Sequence, residues 1–148
     1  MSDPFGLARF VTAGAGGGGL SGYDQALAEV RRGAKASHWM WYIFPQIAGL
    51  SQTSMGRRYA IRSLAEARAF LAHPLLGPRL QEIVTALMAL PADRTAVGVF
   101  GDTDARKLRS CLTLFAEAGG GPLFSDALTR WSGGPDPRTL SLLAAAVP

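Results

Sequence analysis

Apolar residues recur at helical spacing in one segment after another, and glycine or proline ends each run. In GPRLQEIVTALMALP, Leu80, Ile83, Val84 and Leu87 make an inner stripe, Pro78 suits a first turn, and Pro91 sets the limit. TDARKLRSCLTLFAEAGGG repeats the arrangement with Leu108, Cys111, Leu112 and Phe115, and SLAEARAFLAHP does so with Leu64, Ala67, Phe70 and Leu71 before Pro74. Ser63 and Glu66 stand at capping-box spacing in front of that last stripe. YDQALAEVRRG carries Tyr23, Ala26, Leu27 and Val30 with Gly33 as a stop, and DPFGLARFV is read as a short helix with Phe5, Leu7, Phe10 and Val11 inward. Two short helices follow across PLFSDALTRWSGG and PRTLSLLAAAV. β-branched alternation is scarce, so the expectation is an all-α chain, a compact multihelical domain of about six to seven helices spanning residues 1–148. A flexible glycine-rich loop is expected at 14–19; without GxxxxGK[ST], it is not read as a phosphate cradle. Two apolar runs, YIF and TAVGVFG, are too short to separate strand from buried helix.

The 148 residues suffice for a core of their own, and no apolar run is long enough to cross a bilayer. The acidic start at Asp3 lacks the order of a secretory signal, so a cytoplasmic location is expected. A lone Cys111 excludes an internal disulfide, and His38 and His73, 35 positions apart, make no metal cluster with it; no cofactor or metal is expected. The net charge of +4 is spread along the chain rather than gathered in a tract. That pattern suits a small phosphate-bearing ligand better than a nucleic acid backbone.

Chemistry concentrates in two places. SHWMWYIFPQIAG, residues 37–49, holds two of three tryptophans and one of two histidines. Trp39, Trp41, Ile43 and Phe44 can plug a core, while Trp39 or Trp41 can equally stack on a ligand. His38 at the start of the run is a candidate acid, base or phosphate donor, and Gln46 at its end needs a partner or a ligand. In GDTDARKLRS, Asp104 and Lys107 are three apart on one helix side. Asp104 can cap the helix or orient a hydroxyl; Lys107 and Arg109 can neutralise phosphate. His38, Asp104 and Lys107 are therefore the candidate catalytic residues, and Trp39, Trp41, Gln46, Arg57, Tyr59 and Arg109 the candidate ligand-binding ones. His73 reads as a helix-end residue and Cys111 as a buried, inert thiol.

YDQALAEVRRGAKASHWMWYIFPQIAGL, followed by RRYAI, LAEARAFLAHPLLGPRL, KLRSCLTLF and PDPRTLSLL, closely resembles the domain-of-unknown-function family 1810 over nearly the whole chain. Some of its members carry a calpastatin label, which nothing in this composition supports. The resemblance implies a small, mainly helical bacterial domain with no established reaction. The glycine run is a local elaboration, and Cys111 stands where the family often has a small hydroxyl residue. A fainter similarity, to the NADAR superfamily of ADP-ribose-processing proteins, implies a mechanism. Lys107 and Arg109 would hold a nucleotide phosphate, Trp39 or Trp41 would stack on a base, and His38 or Asp104 would assist N-glycosidic cleavage. A hydrolase of that kind competes with a non-catalytic module for a small anion, which requires a concave site, and with a helical protein-interaction domain, which requires an exposed apolar patch.

Overall fold

The structure, a computed structural model, describes residues 2–145. Ten α-helices follow one another: α1 (Ala8–Gly14), α2 (Tyr23–Arg32), α3 (Met40–Ile43), α4 (Ser54–Arg58), α5 (Leu64–Ala72), α6 (Leu76–Met88), α7 (Ala96–Phe100), α8 (Asp102–Glu117), α9 (Pro122–Ser132) and α10 (Pro137–Ala145). The all-α class holds, but the expected six to seven helices become ten among the described residues. The three additional ones, α3, α4 and α7, have only four, five and five residues. A single turn is too short to display a 3.6-residue repeat, which is why pattern reading passes over it. Two of them occupy the ambiguous runs, YIF and TAVGVFG. What specifies α4 and α7 is capping: the hydroxyls of Thr53 and Thr95 accept from the N–H groups of Gly56 and Gly98, each at 3.0 Å. The last helix is described as far as Ala145, so the expected continuation to Val147 lies outside the described residues. Within the glycine-rich stretch, Gly17–Gly19 form a short 3₁₀ turn.

The stripes read for α2, α6 and α8 are buried, while Phe5 and Val11 near α1 and Leu64 and Leu71 of α5 are half-buried at the core's edge. Leu80, Ile83, Val84 and Leu87 of α6 and Leu108, Cys111, Leu112 and Phe115 of α8 lie inside one continuous core. α8 packs against α5, α7, α9 and α10, which makes it the central helix. Phe70 stands 5.2 Å from Phe115 and meets Phe10 edge-on at 5.1 Å, joining α1, α5 and α8 by aromatic contacts.

Two buried carboxylates organise the polar side of this core. Ser63 caps α5 by accepting from Glu66 N at 3.1 Å, but the Glu66 carboxylate does not return to Ser63. It faces inward, 0 % exposed, and takes Arg9 Nη2 at 2.8 Å. Arg9 spends its remaining donors on the carbonyls of Phe5, Gly6, Arg58 and Ala60, tying α1 to the segment before α5. The second carboxylate, Glu29 on α2, organises the stretch leading into α3.

Between α3 and α4 the chain makes one parallel bridge, Ile47 with Ile61, and then turns at residues 48–49. Ile61 N donates to Gln46 O at 2.8 Å and Ala48 N to Ile61 O at 2.7 Å, which fixes residues 46–48 against the core. Gly49 follows at φ +105°, and a Cβ there would meet Leu142 Cδ2 at 3.0 Å. The missing side chain lets α10 close against this connection.

Candidate functional site

The aromatic stretch is held from below by Glu29. Its Oε1 accepts from the N–H groups of Ala36 at 2.8 Å and Ser37 at 2.9 Å and from Trp39 Nε1 at 2.9 Å; Oε2 accepts from Ser37 Oγ at 2.7 Å. Burial pushes this carboxyl up, but the donors, Ser37 Oγ first among them, outweigh it and hold the pKa at about 2 against an ordinary 4.5. Trp39 is consequently a core residue, 0 % exposed, packed against Phe44 and Phe100. Its buried faces offer no platform for a ligand.

From Trp39 a polar relay leads to α8. Lys35 Nζ lies 5.1 Å from the Trp39 ring, donates to Ser37 O at 2.7 Å and pairs with Asp104 at 2.8 Å. Asp104 also pairs with Lys107 at 3.5 Å, and Lys107 Nζ stands 5.3 Å over the half-buried Trp41 ring. The fold thus brings Trp41, Asp104 and Lys107 together, with Lys35 as a partner that sequence reading did not single out.

A cleft of ≈ 400 Å³ opens beside this relay. The connection before α4 lines it with Gln46, Leu50, Ser51 and Thr53; α8 contributes Thr103, Arg106, Lys107, Arg109 and Ser110; Asp136 and Arg138 come from the start of α10. Four cationic side chains face one carboxylate. Arg109 donates from Nε to Gly134 O at 3.0 Å and from Nη2 to Pro135 O at 2.8 Å, so it braces the turn before α10. Asp136 Oδ2 accepts from Thr139 N at 3.2 Å and from Thr139 Oγ1, and Thr139 Oγ1 meets Ser110 Oγ at 2.9 Å in a buried link between α10 and α8. Arg106 and Arg138 are exposed and have no hydrogen-bond or ion-pair partner among the described residues.

Of the residues expected to form a site, Gln46, Lys107 and Arg109 line the cleft, with Asp104 and Trp41 adjoining it through Lys107. The His38 ring is exposed, is not part of the lining and makes no side-chain hydrogen bond among the described residues. Arg57 is exposed and donates to Gln52 Oε1 at 3.1 Å. Tyr59 is buried between Phe10 and Tyr42 and borders a different hollow, of ≈ 350 Å³, beside Gly17 and Gly18. His73 Nδ1 accepts from the N–H groups of Leu75 and Leu76 at 3.1 and 3.2 Å, a helix-end role at the start of α6. Cys111 is fully buried, and burial pushes its thiol pKa up.

Sequence reading did not select Arg106, Arg138, Asp136, Thr103, Ser51 or Thr53 as site residues. Their shared feature is spatial: three separate segments supply them, and no spacing in the chain marks them as neighbours. No group of three or more His, Cys, Asp or Glu residues among those described is placed to hold a metal ion. No helix among them is long and apolar enough to cross a membrane.

Fold and cleft together define an all-helical protein with a basic, hydroxyl-rich cleft at the junction of its longest helix and its last one. The chain belongs to the family described as "Protein of unknown function (DUF1810)", whose match spans residues 4–143. Its fold is similar to that in the crystal structure of the conserved hypothetical protein Rv1873 from Mycobacterium tuberculosis, at 43 % identity and TM-score 0.89, over 96 % of this chain and 99 % of that one. No curated protein matches the chain.

Proposed function

We propose that this protein binds a small phosphate-bearing ligand in the cleft between residues 46–53, α8 and α10. The observation that carries the reading is the pair Arg106 and Arg138, two guanidinium groups on different helices that line the same cleft and have no anionic partner among the described residues. Guanidinium forks suit phosphate oxygens, and the surplus of four cations over one carboxylate would attract an anion before contact. The geometry favours binding over turnover. Among the described residues Asp136 is the single carboxylate in the lining and holds Thr139 through Oδ2, Asp104 is occupied by two lysines, and the His38 ring lies outside the lining. These placements support the anion-binding module over an N-glycosidase acting on an ADP-ribose-like nucleotide.

Calorimetric titration with inorganic phosphate and pyrophosphate at low salt tests the reading. The wild type should bind, with affinity falling as salt is raised. The variant R106A/R138A should bind at least tenfold more weakly at an unchanged Tm, because exposed, unpaired side chains typically alter stability by only about 0.5 kcal/mol. Absence of binding to the wild type, or equal binding by the double variant, refutes it.

A further inference from the structure

The character of the remaining lining narrows the ligand class, on the assumption that the cleft does bind a phosphate-bearing ligand. A nucleotide site supplies a flat apolar or aromatic surface, because stacking on a base contributes about 1–3 kcal/mol. Among the described residues this cleft has none: no aromatic side chain lines it, and Leu50 is its single large apolar one. The tryptophans are committed elsewhere, Trp39 in the core, Trp41 under Lys107 and Trp131 against Arg130.

What the cleft offers in place of a stacking surface is neutral hydrogen bonding. The Gln46 side-chain amide is half-buried and has no hydrogen-bond partner among the described residues, although its backbone is pinned by the bridge to Ile61. A half-buried amide with free donors and a free acceptor, on a rigid segment, is a group shaped for a hydroxyl-bearing ligand. Thr103 adds an unpartnered hydroxyl, and Asp136 Oδ1 remains free while Oδ2 holds Thr139. Carboxylate, amide and hydroxyl around a pair of arginines match a molecule with one anionic end and several hydroxyls. A volume of ≈ 400 Å³ falls within the range of small-molecule sites, roughly 300–1,000 Å³.

We infer that the cleft takes a phosphorylated polyol of the sugar-phosphate class, its phosphate between Arg106 and Arg138 and its hydroxyls on Gln46, Thr103 and Asp136. Discrimination from a nucleotide follows from the lining: an added base would find no partner. Titration of the full chain with inorganic phosphate, ribose 5-phosphate, glucose 6-phosphate and AMP decides the matter. At least one sugar phosphate should bind tenfold or more tightly than inorganic phosphate, and AMP no more tightly than ribose 5-phosphate. In Q46L, whose lost amide supports no contact within the fold, the sugar phosphate should lose at least threefold more affinity than inorganic phosphate does, so that its advantage shrinks by that factor. AMP binding more tightly than ribose 5-phosphate, no advantage for either sugar phosphate, or an advantage that survives in Q46L overturns the inference and leaves the anion site standing. If none of the four ligands binds, both fall.

Discussion

Replacing Glu29 by glutamine probes the support beneath the aromatic stretch without changing its shape. Three N–H donors converge on Oε1 at 2.8–2.9 Å, and two of them, Ser37 N and Trp39 Nε1, belong to the segment that feeds α3. A hydrogen bond to a charged group contributes about 1.5–3 kcal/mol and a neutral one about 0.5–1.5. Losing the charge while keeping an oxygen should therefore cost about 1 kcal/mol per bond, or about 2–3 kcal/mol over the three. Alanine should cost more, about 3–5 kcal/mol, because the indole N–H of a fully buried Trp39 has no water to replace the carboxylate. The pH dependence carries the sign. The folded carboxyl sits at about 2 and the ordinary value is 4.5, so its stabilisation is complete above roughly pH 4.5 and is lost as pH falls from there towards 2. Urea unfolding followed by far-ultraviolet circular dichroism should show wild type well above E29Q at pH 7, with the gap narrowing at pH 3.5. A gap under about 0.5 kcal/mol at pH 7, or one that stays constant down to pH 3, would refute the reasoning.

R9M strips five donors at once and leaves Glu66 buried with only the exposed Arg62 at 3.2 Å; it should destabilise by about 3–5 kcal/mol, and R9M/E66L by clearly less than the sum of its parts in a double-mutant cycle. G77A should lower Tm by several degrees although alanine favours helices, because a Cβ at this buried position of α6 collides with the carbonyl oxygen of Leu71. In native protein, the Cys111 thiol should resist a disulfide reagent for hours at pH 8 and react at once in denaturant; fast native labelling would contradict its burial.

The long helices were legible because α2, α6 and α8 each bury the stripe their spacing announces, and α5 buries Ala67 and Phe70 of its own with Leu64 and Leu71 half-buried at the core's edge. The missing helices were single turns, too short for a repeat; α4 and α7 are stated by a hydroxyl cap, and α3 has no side-chain cap at all. The site was legible in part. The polarity around Lys107 and Arg109 pointed to the stretch of α8 that lines the candidate cleft, and the polar end of the aromatic run pointed to Gln46. Proximity, however, is a product of tertiary structure. Nothing in PDPRT says that Arg138 will line the same cleft as Arg106, some thirty positions earlier, and nothing at Glu29 says that Trp39, ten positions on, will be fixed by it. Aromatic density near a histidine was the loudest signal in the chain. It reported a core, with the candidate cleft at its polar margin.

α10 is attached through the Thr139–Ser110 link and through Leu142 against the bare backbone of Gly49, and it also carries two residues of the cleft. The cleft therefore exists only while that helix is docked. For the proposed ligand, docking and occupancy would be a single equilibrium viewed from two ends, and thermodynamic reciprocity would make the free energy with which it holds the helix equal to that by which a docked helix tightens it. Ligand binding should thus be readable without touching the cleft at all, as slowed hydrogen exchange along the backbone of the last helix.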